Sequence, residues 1–443
     1  MASTYLSRTQ STGNRTTFTF SAWVKRGTLG VQHLITCGAS GTYMTQFQFN
    51  SADQLQFYNN DNGTTMHLQT NRKFRDTNAW YHIMLRFDTT QSTTNDRIRF
   101  YVNGEQVTSF ATQSQPTQNA DNTQFNYNGV AVDIGRRHHD NSDYFDGSMS
   151  HVNFCDGQSY APTSFGETDS TTGEWKIKTS PSVTYGTNGF FILKDGNTIT
   201  DSSTNSNNFT VGGGTLTKTE DCPSNVFATL NVLGRTTKGT VPTMSNGNTT
   251  AVNSSNASSN GGVPATLAAN SGKFYWEAKV VNNNRGVFGI TLASNSADQD
   301  TYGGIQNITG SYAIFGNTGR KFVNGTGSAD SFTFSTDDIL MCALDLDNNY
   351  VYFGKNNAWY NSGDPTSGGS GTNAFSSFTN NYYLPFMANN EGNYASGFSF
   401  NFGNGYFGTT AVSSAGTNAS GIGIFEYDVP TGFTALSTKG LNL

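Results

Sequence analysis

FTFSAWVK, residues 18–25, is the clearest strand signal in this chain. Its apolar side chains fall at every second position from Phe18 to Val24, with Thr19 and Ser21 between them. A period of two is typical of a strand with one face in a core, so the stretch predicts a half-buried β-strand. Residues 81–87 and 98–102 alternate in the same way and lead into Asn103-Gly104. Both of those residues tolerate positive φ, which predicts a hairpin turn there.

The second half of the chain has the same alternation. Residues 274–280 and 398–402 each carry apolar side chains at every second position. Residues 340–346 lead into Asp347-Asn348-Asn349, and residues 350–353 return as a predicted partner strand. No stretch has the 3.6-residue apolar period of an amphipathic helix. The sequence therefore predicts an all-β protein in both halves.

Length and composition indicate more than one domain. A chain of 443 residues is too long for a single hydrophobic core. Its 49 glycines and low charge favour many short strands joined by turns. We predict a first domain over residues 1–218, a junction with an Asn/Ser/Gly-rich loop over 219–262, and a second domain over 263–443. Residues 246–262 fit either a linker or a long surface loop of the second domain.

Charge and hydropathy limit the partners. The net charge is −6 and no stretch concentrates Lys or Arg, so nucleic acid is not expected to bind. No run of about 18 apolar residues is present to cross a bilayer, and residues 1–8 lack the apolar core of a signal peptide. We expect synthesis in a cytoplasm and no membrane insertion.

Four cysteines are spread along the chain, at Cys37, Cys155, Cys222 and Cys342. Their separations do not match the close pairs of a zinc site or the dense pattern of a disulfide-rich domain. We predict four buried free thiols, and no metal or other cofactor.

Catalytic motifs are missing from the sequence. A glycosidase needs two carboxylates at a defined separation, and the nearest candidate is Glu167-Thr168-Asp169. The next acid, Glu174, follows only after a predicted turn. The chain also lacks a Gly-x-Ser-x-Gly elbow, a His-Glu-x-x-His pair and a phosphate-binding loop. We predict no catalytic residue and no enzyme activity.

One candidate binding site is the polar loop at residues 136–144. Its candidate ligand-binding side chains are His138, His139, Asp143 and Tyr144. Imidazoles and carboxylates can hold a metal ion or bind sugar hydroxyls. The alternative, a solvated polar loop, is favoured over a metal site because two adjacent histidines point in different directions. The following Asp146-Gly147 fits either a calcium-binding rim or, more simply, a turn.

The other candidate is the aromatic pair Trp359-Tyr360, which precedes a Gly/Ser-rich loop over residues 361–373. Aromatic faces stack on sugar rings, but Trp359 fits equally well as a cap on the core. We expect outward sheet positions to carry Thr, Ser, Asn and Arg. Any ligand is therefore predicted to bind through rim loops rather than through sheet faces.

The two halves resemble two known domain types. The first half resembles a laminin-G or concanavalin-A-like jelly roll in residues 18–25, 80–82, 99–104, 133–135 and 145–147. The second resembles a SPRY domain in residues 272–277, 337–339, 343–347, 384–386 and 400–403. These resemblances imply two tandem concanavalin-A-like jelly-roll sandwiches.

Further phrases are similar to virion proteins of tailed phages, marine and cyanophage-like ones especially, that join these two domains. They lie at residues 156–158, 165–167, 172–176 and 430–438. The similarity implies a structural protein at the virion surface, in a fibre, tail or head appendage, that binds other virion proteins and a host glycan or receptor. A homo-oligomer, with three copies as the expected number, would suit such a role. The alternative is a purely structural decoration or connector protein without a ligand.

Overall fold

A computed structural model describes residues 3–121, 123–194, 198–237, 241–254, 261–283, 285–295, 304–316, 319–389 and 395–443. Strands make up 45% of it and helices 5%, so the all-β prediction is confirmed. Within these ranges no helix has the length and apolarity needed to cross a membrane. The helices are short 3₁₀ turns at Thr94–Asp96, Pro162–Ser164, Ile305–Asn307, Tyr360–Ser362, Pro365–Ser370 and Gly440–Asn442.

The chain divides into two compact units. The first contains Met1–Lys218 and Cys222–Ser224, and the second contains Thr219–Asp221 and Asn225–Leu443. Both are antiparallel jelly-roll sandwiches of the concanavalin-A-like and SPRY type.

The first unit consists of two large sheets and a separate two-stranded hairpin. Its strands are β1 Tyr5–Thr9, β2 Thr17–Arg26, β3 Gln32–Ser40, β4 Tyr43–Phe49, β5 Gln54–Asp61, β6 Thr64–Lys73, β7 Trp80–Asp88, β8 Ile98–Val102, β9 Glu105–Gln106, β10 Phe110–Ser114, β11 Ala131–Ile134, β12 Gly147–Asp156, β13 Gly166–Thr168, β14 Trp175–Ile177, β15 Phe190–Ile192 and β16 Thr210–Gly213. One large sheet has the order β10-β6-β5-β4-β3-β11-β1-β16, the other has the order β15-β12-β2-β7-β8-β9, and β13 and β14 form the hairpin. A core that includes Phe18, Phe47, Phe57 and Phe100 fills the space between them.

Strand β2 differs from the half-buried strand predicted. Phe18 and Phe20 face the core, but Thr19, Ser21 and Trp23 are buried as well. The reason is a second small cluster on the other side of the six-stranded sheet, where Phe165 and half-buried Tyr160, Val183 and Tyr185 pack on Met84, Tyr101 and Cys155. The chain after β12 thus covers a face that the local pattern assigned to solvent.

The second unit also consists of two large sheets and a separate two-stranded hairpin. Its strands are β17 Thr243–Ser245, β18 Thr250–Asn253, β19 Gly262–Pro264, β20 Lys273–Asn283, β21 Gly286–Leu292, β22 Tyr312–Phe315, β23 Arg320–Val323, β24 Thr326–Ala329, β25 Ile339–Asp345, β26 Tyr350–Lys355, β27 Ala358–Trp359, β28 Ser376–Ser377, β29 Tyr383–Asn389, β30 Ser396–Asn401, β31 Tyr406–Phe407, β32 Thr410–Ala411 and β33 Thr434–Ala435. One sheet has the order β17-β18-β30-β20-β25-β26-β27, with β28 on β26 and β33 on β20. The other has the order β19-β29-β21-β22-β23-β24, and β31 and β32 form the hairpin.

The segment predicted as a junction, residues 219–262, contains part of the second sandwich. Strand β17 pairs with β18, and β18 pairs with β30 of the large sheet. Residues 238–240 and 255–260 of this segment lie outside the described residues. The domain limits at 218 and 262 stay a prediction.

Two local predictions have clear outcomes. The hairpin at Asn103-Gly104 is confirmed, because φ is 50° at Asn103 and 83° at Gly104 and Val102 pairs with Glu105 across the turn. The prediction of four buried thiols is wrong at one position. Cys37, Cys155 and Cys342 are buried, whereas Cys222 is partly exposed near the point where the chain passes between the two units.

Candidate ligand-binding surfaces

The loop at residues 136–144 follows β11 and closes on itself. The backbone N–H of Arg137 donates to the carbonyl of Ser142 at 2.9 Å, and these two residues form an isolated β-bridge. Asn141 and Asp143 have φ of 56° and 50°, which Asn and Asp adopt more readily than most residues. The sequence Asp-Asn-Ser-Asp therefore suits the tight return of this loop.

Asp133, on strand β11, anchors the loop. It is fully buried, and its Oδ2 accepts hydrogen bonds from Arg136 Nε at 2.6 Å and His138 Nδ1 at 2.8 Å. Burial alone would raise the pKa of this carboxyl, but bonds from His138, Ser7 and Arg136 outweigh it and lower the pKa. An ionised carboxylate only accepts, so His138 donates through Nδ1.

Ion pairs also engage the acids of the loop. Arg137 makes a two-pronged contact with Asp140, with Nε to Oδ1 at 2.9 Å and Nη2 to Oδ2 at 2.7 Å. This contact lowers the pKa of Asp140 to about 2. The third guanidinium nitrogen, Nη1, lies 2.9 Å from Asp143 Oδ2. Arg137 thus holds two carboxylates in fixed positions.

The remaining candidates of the loop differ in how tightly they are held. Arg136 stacks over the ring of Tyr5 with 3.5 Å to the centroid, and Tyr5 contacts Tyr144 with ring centroids 6.3 Å apart. His139 is held less firmly, with Nε2 3.7 Å from Asp140 Oδ2. Among the residues that the structure describes, no group of three His, Cys, Asp or Glu side chains has metal-binding geometry. The loop offers fixed polar groups for hydrogen bonding.

Trp359 and Tyr360 lie in the second unit, at the end of β27 and the start of a 3₁₀ turn. Both are half-buried and pack against the core of that unit. The Tyr360 hydroxyl donates to Asp330 Oδ2 at 2.7 Å, and burial together with this carboxylate raises its pKa to about 12. Its ring lies edge-on to Phe332 and Phe375, at centroid distances of 5.3 and 5.9 Å. The pair therefore has a packing role, and ligand binding by it stays a prediction.

A buried serine–histidine pair escaped the sequence analysis. Ser21 Oγ on β2 lies 2.8 Å from His82 Nε2 on β7. Trp175 Nε1 donates to His82 Nδ1 at 3.0 Å, and burial lowers the pKa of His82 to about 3. The ring is therefore neutral with its proton on Nε2, so it donates to Ser21 instead of accepting a proton from it. A nucleophile–base pair requires the opposite arrangement.

The acid pair Glu167 and Asp169, the nearest match to a glycosidase motif in the sequence, does not form a catalytic site either. Glu167 and Asp169 lie on the exposed hairpin of β13 and β14, where Lys176 Nζ is 3.7 Å from Glu167 Oε1 and 3.1 Å from Asp169 Oδ2. The two acids thus share one lysine on an open surface rather than facing each other across a cleft.

Comparisons with known proteins identify both domain types. Residues 2–161 match a laminin-G-type family of the concanavalin A-like lectin/glucanases superfamily, and residues 273–405 match the SPRY domain. Ran-binding protein 9 of Danio rerio is 32% identical over 92 residues, which is 20% of this chain and 15% of that protein. The human protein of the same name is 33% identical over 92 residues, 20% of this chain and 12% of its own length. The chain thus spans only a small part of these relatives.

Two solved structures are similar to parts of this chain. The SPRY domain of human HERC1 is 14% identical, with 39% of this chain and 96% of that one covered at a TM-score of 0.29. A putative carbohydrate binding protein from Bacteroides ovatus is 17% identical, with 49% and 58% covered at a TM-score of 0.35. Concanavalin A-like and SPRY domains are typically non-catalytic binding modules, so the two domains together indicate a binding or adhesion protein.

Proposed function

We propose that this chain is a non-catalytic attachment protein at the surface of a tailed-phage particle, where it binds a host glycan or receptor. The observation that carries this proposal is the presence of two binding-type sandwiches, one laminin-G-like and one SPRY, in a single chain. The phrases at residues 156–176 and 430–438, which resemble tailed-phage proteins, support the virion location.

The loop at residues 136–144 supports recognition. Asp133, Arg136 and Arg137 hold it in one conformation through buried and surface ion pairs. A site that is ordered before binding loses less conformational entropy when a ligand arrives. Exposed Asp140 and half-buried His139 can then contact a ligand at a low cost in conformational entropy.

The proposed lack of catalysis rests on the hydrogen bonds and ion pairs that the candidate catalytic groups make. His82 donates to Ser21, and Lys176 pairs with both Glu167 and Asp169. Neither arrangement activates a nucleophile or positions an acid opposite a base. A single weak site would need several copies for useful attachment, and a homo-oligomer on a particle, expected to be a trimer, supplies them through effective concentration.

Two measurements test the proposal. Antibodies against the chain should label intact particles, and the purified chain should compete with particles for adsorption to host cells. His139→Ala should reduce that competition, whereas Lys176→Ala, on an exposed hairpin of the same unit, should not. Labelled particles without competition would favour the structural decoration or connector role. Particles free of the chain would refute the virion location.

A further inference from the structure

Strands β3 to β6 of the eight-stranded sheet turn a row of polar side chains away from the core. Phe47, Phe49, Phe57 and Leu68 point into the core from these strands. Alternate positions therefore point outward. We call the outward set on β4, β5 and β6 the glutamine face, and it consists of Gln46, Gln48, Gln56, Tyr58, His67 and Gln69.

Strand register places these side chains side by side. Gln48 lies opposite Gln56, and Gln56 lies opposite Gln69. In the next row Gln46 lies opposite Tyr58, and Tyr58 lies opposite His67. With about 4.8 Å between neighbouring strands, the rows extend roughly 14 Å from β3 to β6. The face is long enough for several groups of an extended ligand.

The glutamine face is partly buried and contains no Lys, Arg, Asp or Glu. Gln46 and Gln48 are only 5% and 8% exposed, and the other four members are half-buried. Burial lowers the pKa of His67, which keeps its ring neutral near pH 7. The surface therefore offers amide, phenol and neutral imidazole groups.

Several polar atoms of this surface are buried without a hydrogen-bond partner among the described residues. They are Gln48 Oε1, His67 Nε2 and both ring nitrogens of His33, which pairs with Gln48 across β3 and β4. Burial lowers the pKa of His33 to about 3, so this ring is neutral too. A buried polar atom left unpaired costs roughly 1–3 kcal/mol. A concentration of such atoms on one sheet face calls for an explanation beyond folding.

The loop at residues 136–144 borders the same face. Thr36 is the outward neighbour of Gln46, and its hydroxyl donates to the carbonyl of Arg136 at 2.8 Å. The N–H of His138 donates to that hydroxyl at 3.1 Å. Asp143 Oδ2 lies 4.0 Å from His33 Nε2. The ion-paired loop therefore forms a side wall, and the glutamine face forms a floor beside it.

We propose that the glutamine face is a binding site for a neutral polysaccharide chain, with the 136–144 loop as its wall. Sugar hydroxyls both donate and accept, so they can pair with the half-buried amide of Gln56, and with Gln48 Oε1 and His67 Nε2 when those two side chains rotate towards the ligand. The rings of Tyr58 and His67, whose centroids are 5.5 Å apart, add apolar surface for the carbon-bearing side of a sugar. Nucleic acid and acidic polymers do not fit, because the face has no cation and the arginines of the wall, Arg136 and Arg137, are already paired with carboxylates of this chain.

The proposal rests on the attachment function above and names the ligand class and the surface. It departs from the sequence-based expectation that ligands bind through rim loops and that outward sheet positions carry Thr, Ser, Asn and Arg. Here the outward positions carry Gln, Tyr and His, and the rim loop contributes a wall rather than the floor.

The test is binding of the purified full chain to the neutral polysaccharides laminarin and mannan and to neutral agarose oligosaccharides, with alginate and heparin as acidic comparisons. We expect at least one neutral polymer to bind and the acidic ones not to bind. Gln56→Ala and His67→Ala should each weaken that binding roughly three- to tenfold, the loss of one hydrogen bond. Gln113→Ala is the matched control, since Gln113 is exposed on β10 opposite core-facing Leu68.

Three results would overturn the proposal: no neutral polymer binds, acidic polymers bind better, or Gln113→Ala and Gln56→Ala weaken binding equally. A change of oligomeric state in Gln56→Ala would instead identify the face as a contact between copies of the chain, which also contradicts it. The attachment function is judged separately, by competition for adsorption. Competition without binding to neutral polymers removes only the glutamine-face site, whereas binding without competition removes only the attachment role.

Discussion

The indole Nε1 of Trp175 donates a 3.0 Å hydrogen bond to Nδ1 of His82, across the outer side of the six-stranded sheet. Trp23 stacks against the same imidazole, with ring centroids 5.2 Å apart. This contact ties the hairpin of β13 and β14 to the first sandwich. It also fixes the proton of His82 on Nε2, facing Ser21.

The first prediction is that His82 stays neutral with its proton on Nε2 from pH 5 to 8. Burial lowers its pKa to about 3, so no titration should occur in that window. Nitrogen chemical shifts of selectively labelled histidine would report both the charge and the tautomer. A midpoint near pH 6.5 would contradict the buried, neutral state.

Trp175→Phe should keep most of the ring packing but leave His82 Nδ1 without its donor. We expect the free energy of unfolding to fall by about 1–3 kcal/mol, the cost of a buried unsatisfied group. Lys176→Ala, at the next residue, is the control and should change stability far less than Trp175→Phe, because its ion pairs are exposed to solvent. Equal effects of the two substitutions in urea denaturation would argue against the hydrogen bond.

A third prediction concerns Asp133. Asp133→Ala leaves Arg136 and His138 without their buried acceptor, and we expect a loss of about 3–5 kcal/mol at pH 7. The folded-state pKa of Asp133 is lowered, so its stabilisation is complete above the unfolded value near 3.8 and is lost as pH falls through the folded value. The difference in the free energy of unfolding between the wild type and Asp133→Ala should therefore become small only in strong acid.

Hydrogen exchange gives a local readout for the same variant. Amides of the loop at residues 136–144 should exchange faster in Asp133→Ala, because the loop loses its anchor. Arg137→Ala serves as a comparison, since Arg137 pairs with more exposed acids and should cost less than about 1 kcal/mol. Protection of the loop that is unchanged in Asp133→Ala would show that the backbone bridge alone holds it.

The limits of prediction from the sequence are visible in strands β2 and β20. Alternation placed Phe18, Phe20 and Phe274 correctly in cores, because a period of two is a local property of the strand. The burial of Ser21 and Tyr275 on the opposite faces was not predictable in this way. It depends on chain far away in sequence, such as Phe165 in the first unit and Phe425, which contacts Tyr275 at 5.0 Å, in the second.

The candidate sites show the same difference between local sequence patterns and contacts made by residues far apart in the chain. The loop at residues 136–144 stood out because its charged residues are adjacent in sequence. Gln48, Gln56 and His67 did not, because strand register alone brings them together. Their signal was present as alternate Gln and aromatic positions in residues 46–58, but only the pairing of three strands turns that pattern into a surface.

The fourth prediction is a pH-dependent stability of the second unit through Glu277. This side chain is fully buried and accepts hydrogen bonds from the Tyr275 hydroxyl at 2.9 Å and from the backbone N–H groups of Glu426 and Tyr427, both at 2.9 Å. Burial raises its pKa to about 7, and the hydrogen bonds only partly offset this effect. The unfolded state therefore loses its proton first as pH rises.

Stability should decline between about pH 4.5 and pH 7 by roughly 3 kcal/mol and then level off, because a raised carboxyl pKa favours the folded state only while the group holds its proton. Glu277→Gln cannot ionise and should lack this slope. The difference between the two urea-unfolding free energies, measured from pH 4 to pH 8, isolates the group. A difference independent of pH would mean that Glu277 has the same pKa in the folded and unfolded states.

The last prediction separates packing from ligand binding at Tyr360. Its hydroxyl donates to Asp330, which also lies 3.5 Å from Lys321 Nζ, and its ring packs against Phe332 and Phe375. Tyr360→Phe removes only the hydroxyl and should cost about 1.5–3 kcal/mol, the range for a hydrogen bond to a charged group, reduced where solvent reaches the pair. Because the ring remains, adsorption of particles that carry this variant should not change. If Tyr360→Phe leaves stability unchanged but lowers adsorption, the hydroxyl contacts the ligand, and the aromatic pair, rather than the first unit, holds the attachment site.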